Sequence, residues 1–217
     1  EFDENFSRLS PESFVKNVLK DRLNIRLAVA GFDYRFGYRG QGDTELLKEL
    51  GKKLGLRVII VPPVKMDREI VSSTLIRNSV SKGDMEKAFR LLGRHYSITG
   101  RVQSGRCMGR KLGFPTANIH PETYLILPQD GVYITKTKVD GVLHNSITNI
   151  GKNPTFGESG PVRVETHLLD FDADIYGKDI EVFFISKIRG EKKFKNEHEL
   201  KEQVLKDIET ARDFFSL

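Results

Sequence analysis

An α/β segment followed by a small closed antiparallel β-barrel with a C-terminal helix is the fold the sequence predicts, and three observations predict it. Residues 26–61 read strand, helix, strand; residues 95–188 hold five alternating or β-branched runs; and residues 196–215 repeat apolar positions at helical spacing. The length of 217 residues allows one large domain or two modest ones.

The elements follow in order. Ser10-Pro11 sets a capping hydroxyl before a proline at the first helical position, with Phe14, Val18 and Leu19 on one face behind it. Residues 26–30 (RLAVA) read as a short buried strand ending in Gly31, and 57–61 (RVIIV) as a second, stopped by Pro62-Pro63. Between them 44–54 (TELLKELGKKL) is an amphipathic helix capped by Asp43. Strand, helix, strand at this spacing argues for a parallel sheet. Two strands make a poor sheet, since a stable one has about four to six. The chain also opens on Glu-Phe-Asp without an initiator Met, so this half is expected to be incomplete at its N-terminus. Residues 73–80 and 83–92 read as helices, the second with Met85, Ala88, Phe89 and Leu92 on one side. Gly93 ends that pattern, and the expected domains are 1–93 and 94–217.

From Tyr96 the pattern turns to β. Residues 95–103, 131–139, 142–150, 162–171 and 179–188 read as strands, with a hairpin signal at Asp140-Gly141. Several closely spaced strands favour a closed barrel, because closure removes exposed edges. In the last helix Asn196 and Glu199 form a capping-box pattern, and Leu200, Val204, Ile208, Ala211 and Phe215 line one stripe.

Composition narrows the function. Hydrophobic residues are 38% and charged residues 30%, enough to bury a core, and no run approaches the roughly 20 apolar residues of a membrane span. The single cysteine, Cys107, excludes an internal disulfide framework and a cysteine-cluster metal site, and fits a reducing, cytoplasmic setting. The net charge of +5 is concentrated: between Glu86 and Glu122 there is no acid, while Lys87, Arg90, Arg94, Arg101, Arg106, Arg110 and Lys111 fall there among Gly100, Gly105, Gly109 and Gly113. Cations on flexible backbone suit a small polyanion such as a nucleoside triphosphate, because N–H groups can approach phosphate closely. The alternative is barrel corners turned by glycine, with solvated cations. A nucleic-acid-binding barrel would interleave aromatics with its cations, and residues 97–113 contain none. No GxxxxGK[ST] string is present, so the site is not a Walker P-loop. In the strand around 162–168, Val162, Val164, Thr166 and Leu168 share one face, and Arg163, Glu165, His167 and Leu169 share the other. Alternation alone reads the second face as a polar exterior.

The string Gly109-Arg110-Lys111-Leu112-Gly113-Phe114-Pro115-Thr116-Ala117-Asn118 resembles the signature of riboflavin kinases. It is followed in the family's order by Asn149 to Phe156 (NIGKNPTF), Val164-Glu165-Thr166-His167 with Leu168 to Phe171, and Arg189 to Phe194 (RGEKKF). The first part resembles the adenylyltransferase domain of bacterial bifunctional riboflavin kinase/FAD synthetases. The pieces that carry this are Phe2-Asp3 with LSPESFVKNVL, Gly31 to Gly37 (GFDYRFG) with Gly42-Asp43, and the SSTxxR-like Ser72 to Arg77. That family's HxGH-type phosphate motif has no counterpart, since the histidines are His95, His120, His144, His167 and His198. Adenylyl transfer is therefore expected to need a further N-terminal segment.

What the resemblance implies is a partial Rossmann-like nucleotidyltransferase domain before a riboflavin kinase barrel that makes FMN from riboflavin and ATP. It implies Mg2+ as cofactor and no nucleic-acid or membrane partner. It assigns the general base to Glu165, the metal and nucleotide phosphates to Thr116 and Asn118, and the phosphate cradle to Gly105, Gly109, Arg110 and Gly113. Pro154 and Thr155, with Phe156, stand between nucleotide and flavin or merely form a turn. Arg189 and the last helix border the flavin ring. Ser73, Thr74 and Arg77 touch a nucleotide in the first domain, or a serine there caps the following helix. A Pro-initiated turn with Asn118 bonded to its own backbone is the alternative for the Thr116 segment.

Overall fold

The computed structural model describes residues 2–103, 113–121, 125–152 and 162–216. The chain divides into two compact units, Glu1–Val71 and Ser72–Leu217.

The first unit begins with helix α1 (Glu4–Ser7), capped by Asp3, and α2 (Pro11–Ser13), where the Ser10 hydroxyl accepts from the Ser13 amide at 3.1 Å. The chain continues as a wider helix over Phe14–Arg22, closed where the Leu23 amide donates to the Val18 carbonyl five residues back. Strands β1 (Leu27–Gly31) and β2 (Arg57–Val61) pair in parallel, Leu27 opposite Arg57 and Gly31 opposite Val61. Helix α3 (Thr44–Leu54) connects them, capped by Asp43 and ended at left-handed Gly55. A short β3 (Lys65–Met66) and β4 (Glu69–Ile70) hairpin closes the unit. The strands are half-buried rather than buried. Ala30 and Val58 pack on Val15, Phe36, Leu47 and Leu56, while Leu27, Val29, Ile59 and Val61 on the other face are exposed. The apolar runs hid this, because a strand that is apolar on both faces reads the same whether one or both are covered.

The second unit opens with α4 (Ser73–Ser81) and α5 (Met85–Leu92). Gly83, at φ +75°, breaks the chain before Asp84 caps α5, so the second helix starts two residues later than its pattern suggests. Val80, Met85 and Ala88 join the barrel core, so packing divides the chain earlier than the change of pattern at Gly93.

The barrel strands are β5 (Tyr96–Gln103), β6 (Ala117–Ile119), β7 (Gly131–Val139), β8 (Val142–Lys152), β9 (Val162–Leu168) and β10 (Asp179–Arg189). They close antiparallel in the order β10-β5-β6-β9-β8-β7. Asp140 (φ +49°) and Gly141 (φ +86°) both occupy the left-handed region, as a two-residue hairpin that matches strand twist requires. β6 was not legible as a strand, since three residues after a proline carry no periodic signal. β9 ends at Leu168 because Leu169-Asp170 turns, Asp170 at φ +53°.

Ile98, Tyr133, Ile150, Val164, Val182 and Phe184 fill the interior. With them lies a chain of fully buried hydroxyls: Thr137 to Ser146, Ser146 to Thr135, Thr135 to Thr148 and Thr148 to Thr166, each at 2.8–2.9 Å. Partnering among themselves removes most of the cost of burying them. On the outside, α6 (Glu197–Ser216) lays Ile208, Ala211 and Phe215 over Ile134, Ile147 and Ile185. Phe184→Ala should cost about 3–5 kcal/mol, the usual price of emptying a buried Phe site, and denaturant titration would read it directly. Among the described residues, no helix is long and apolar enough to cross a membrane.

Candidate active site

Glu165 stands on the outer face of β9, between two neighbouring strands. Asn118 of β6 is opposite it on one side and Asn149 of β8 on the other. The polar exterior and the face of the candidate base are therefore the same, because the exterior here is not open. α6 and the chain after β10 cover it, and the carboxylate is half-buried. Burial pushes the Glu165 pKa above the usual glutamate value, and the nearby Arg163 charge opposes that shift in part.

Two cavities adjoin this face. The first, of about 460 Å³, has an apolar floor of Val102, Ala117, Leu168 and Ile175, a wall of Phe171 and Tyr176, and Thr116, Asn118, Asp172 and Asp174 at its polar side. The second, of about 290 Å³, holds Glu165 and Asn149 beside Val132, Ile147, Leu200 and Val204, with Phe114, Phe194 and Arg189 on its walls. Thr116 lines both. Its position is fixed by His167, whose Nδ1 lies 2.8 Å from the Pro115 carbonyl oxygen and whose ring meets Phe114 edge-on at 6.1 Å. For that bond His167 carries its proton on Nδ1 and donates it to the carbonyl.

The structure brings together Glu165, Thr116, Asn118 and Arg189. Gly113 precedes them at φ +91°, with open space around its α-carbon. Arg189 lines the second cavity, but its guanidinium is engaged by Asp207 of α6, at 2.7–3.1 Å. Ser73, Thr74 and Arg77 lie exposed on the first turns of α4 and line neither cavity. Ser72 is the residue that caps this helix, its hydroxyl accepting from the Leu75 amide at 3.2 Å. Gly105, Gly109, Arg110, Pro154 and Thr155 lie outside the described residues.

Sequence reasoning missed three contributors. In the sequence Asn149 stands only within the NIGKNPTF string, and its place opposite Glu165 emerges from the pairing of β8 with β9. His167 shares the Glu165 face, and that alternation was the available signal. Asp207 is an acid inside an otherwise apolar helical stripe of Val204, Ile208 and Ala211, which marks a buried charge in search of a cation.

A closed antiparallel barrel thus carries a sheltered glutamate beside a Pro-Thr-Ala-Asn segment that runs into β6 and lines two clefts, the arrangement expected from the resemblance to riboflavin kinases. The comparisons agree. The riboflavin kinase (flavokinase) family matches residues 92–215, and the FAD synthetase family matches residues 1–75. A bifunctional riboflavin kinase/FMN adenylyltransferase of Buchnera aphidicola is 42% identical over the whole chain and 70% of its own length. The enzyme of the same description from Haemophilus influenzae is 38% identical over 99% of this chain and 70% of its own. A solved chain described as a macrolide-efflux protein from Streptococcus pneumoniae superimposes with a TM-score of 0.87 at 34% identity, over 98% of this chain and 68% of that one. This chain belongs to the bifunctional riboflavin kinase/FMN adenylyltransferase family.

Proposed function

We propose that this chain is a riboflavin kinase that transfers the γ-phosphate of ATP to the riboflavin 5′-hydroxyl, giving FMN and ADP, in a cytoplasmic setting. The observation that carries the reading is that Thr116 belongs to two cavities at once, one of which holds Glu165. The first cavity takes the nucleotide, its apolar floor meeting the base and its polar edge the phosphates. The second takes the flavin, a flat apolar ring that needs a slot with few polar groups. Phe114 and Phe194 are the aromatics on that slot's walls.

Glu165 accepts the proton of the 5′-hydroxyl as its oxygen attacks the γ-phosphorus, and the bond from that phosphorus to the bridging oxygen of ADP breaks. A pKa held above the usual glutamate value by burial makes this carboxylate a stronger base. Thr116 and Asn118 fit a Mg2+ that arrives with ATP. They are neutral hard oxygen donors, and among the described residues no group of three acids, histidines or cysteines could hold a metal unaided. Bound there, the ion would neutralise charge on the transferring phosphates. The phosphate-cradle role of Gly105, Gly109, Arg110 and Gly113, and a role for Pro154 and Thr155 between nucleotide and flavin rather than in a plain turn, rest on the family resemblance alone.

Residues 94–217 form the kinase domain in this reading, and residues 1–93 part of an adenylyltransferase domain in which Ser73, Thr74 and Arg77 face nucleotide phosphate. FMN is the product this reading assigns to these 217 residues, and the lack of an HxGH-type pair among them counts against FAD. Incubation with riboflavin, ATP and Mg2+, followed by chromatographic separation, should yield FMN alone. No FMN would overturn the kinase reading, and FAD would overturn the restriction on the first domain.

A further inference from the structure

Asp207 is 2% exposed, one of two buried residues on a twenty-residue helix whose remaining surface is largely charged. Its carboxylate accepts from Arg189 Nε at 3.0 and 3.1 Å and from Nη2 at 2.7 Å, and from Gln203 Nε2 at 3.0 Å. The same guanidinium donates from Nη1 to the Gly190 carbonyl at 3.1 Å and lies 5.8 Å from the Phe194 ring centre. Lys192 approaches that ring from its own position, also at 5.8 Å. Arg189 reaches this place because β10 carries two register shifts, after Phe184 and after Lys187, and such bulges re-aim the side chains beyond them. Arg189, Lys192, Phe194 and Asp207 all line the cavity that holds Glu165.

Stability does not explain the pair. Taking two charges out of water offsets most of their attraction, and an apolar pair of like volume would hold α6 on the barrel as well. What an apolar pair would not do is fix the guanidinium plane, the Gly190 carbonyl and the Phe194 ring in one mutual orientation.

We propose that Asp207 is a positioning residue for the flavin: through Arg189 it holds the Gly190–Phe194 stretch as a preformed wall of the slot. This rests on the reading of the second cavity as the riboflavin site. Preorganisation lowers the ordering cost of binding, so its loss falls on affinity for the ligand that meets this wall.

The test compares wild type, Asp207→Asn and the double variant Arg189→Met/Asp207→Leu, using riboflavin fluorescence titration, FMN-forming kinetics and thermal melts. The double variant should melt near wild type yet bind riboflavin about tenfold more weakly, as expected from disordering a binding wall. Asp207→Asn should raise the riboflavin KM by a similar factor and change kcat and the ATP KM less than about threefold. Wild-type riboflavin affinity in a folded double variant overturns the positioning role. So does a loss in Asp207→Asn that falls equally on both substrates and tracks its melting. A wild type that binds no riboflavin overturns this proposal and the site reading together; normal wild-type turnover with unaltered affinity in the variants overturns only the positioning role.

Discussion

Replacing Glu165 by Gln should lower kcat for FMN formation by roughly 10²–10⁴-fold, the usual contribution of a general base, with substrate KM values within a few-fold of wild type. Gln keeps the size and polarity of the side chain and removes the group that accepts the proton. Two pH signatures accompany the loss. In wild type, activity should fall as pH drops through a value above the usual glutamate range, because protonated Glu165 is no base and burial raises its pKa. Stability moves the other way. The folded state binds this proton more tightly than the unfolded state, so the buried charge costs stability above the folded pKa. Below the unfolded pKa both states are protonated and the cost disappears. Glu165→Gln should therefore melt higher than wild type at neutral pH, and the difference should vanish in acid. Near-normal FMN formation by the variant would remove Glu165 from the chemistry. A lower melt at neutral pH would contradict the desolvation account of its pKa.

Thr116→Val carries the second large effect. The substitution keeps the branched shape and deletes the hydroxyl at the meeting point of the two cavities. It should reduce kcat by about 10²-fold, the scale of losing one positioned polar group at a phosphoryl centre, with little change in riboflavin affinity. Thr116→Ser, which restores an oxygen at the same place, should recover most of the rate. The backbone should stay where it is in both, since His167 holds the neighbouring Pro115 carbonyl rather than the threonine side chain. Full activity in Thr116→Val, measured across a Mg2+ titration, would show that the hydroxyl contacts neither metal nor phosphate.

How far the sequence carries this can be seen in individual elements. The Asp140-Gly141 hairpin, the Asp43 cap and the last helix were legible, because each is a local pattern with a local cause. At the last of these, Glu199 donates its amide to Asn196 Oδ1 as the capping-box pattern requires, while its carboxylate accepts from the amide of Lys195, one residue before the cap. The exposure of Val29 and Ile59 was not legible, since it depends on what lies beside a sheet rather than on the strand itself. Glu165 was ambiguous in the same way. Its alternation puts it outside the barrel, and only the packing of α6 and the chain after β10 turns that outside into a sheltered cleft. The structure places Arg189 on the second cavity, and its partner was not legible, because Asp207 lies across a turn that follows the two bulges of β10. The inward-facing Thr135, Ser146 and Thr148 carry a related lesson. Hydroxyls on strands suggest a wet face, whereas here they satisfy one another inside the barrel.

A crystal structure with riboflavin, Mg2+ and a non-hydrolysable ATP analogue bound together is the most direct check on the pairing of the two cavities. The ribityl 5′-oxygen should sit within hydrogen-bond reach of the Glu165 carboxylate, about 2.6–3.2 Å, on the Thr116 side and facing the terminal phosphate. A flavin whose 5′-oxygen points away from Glu165, or a nucleotide bound on another surface of the barrel, would contradict the account.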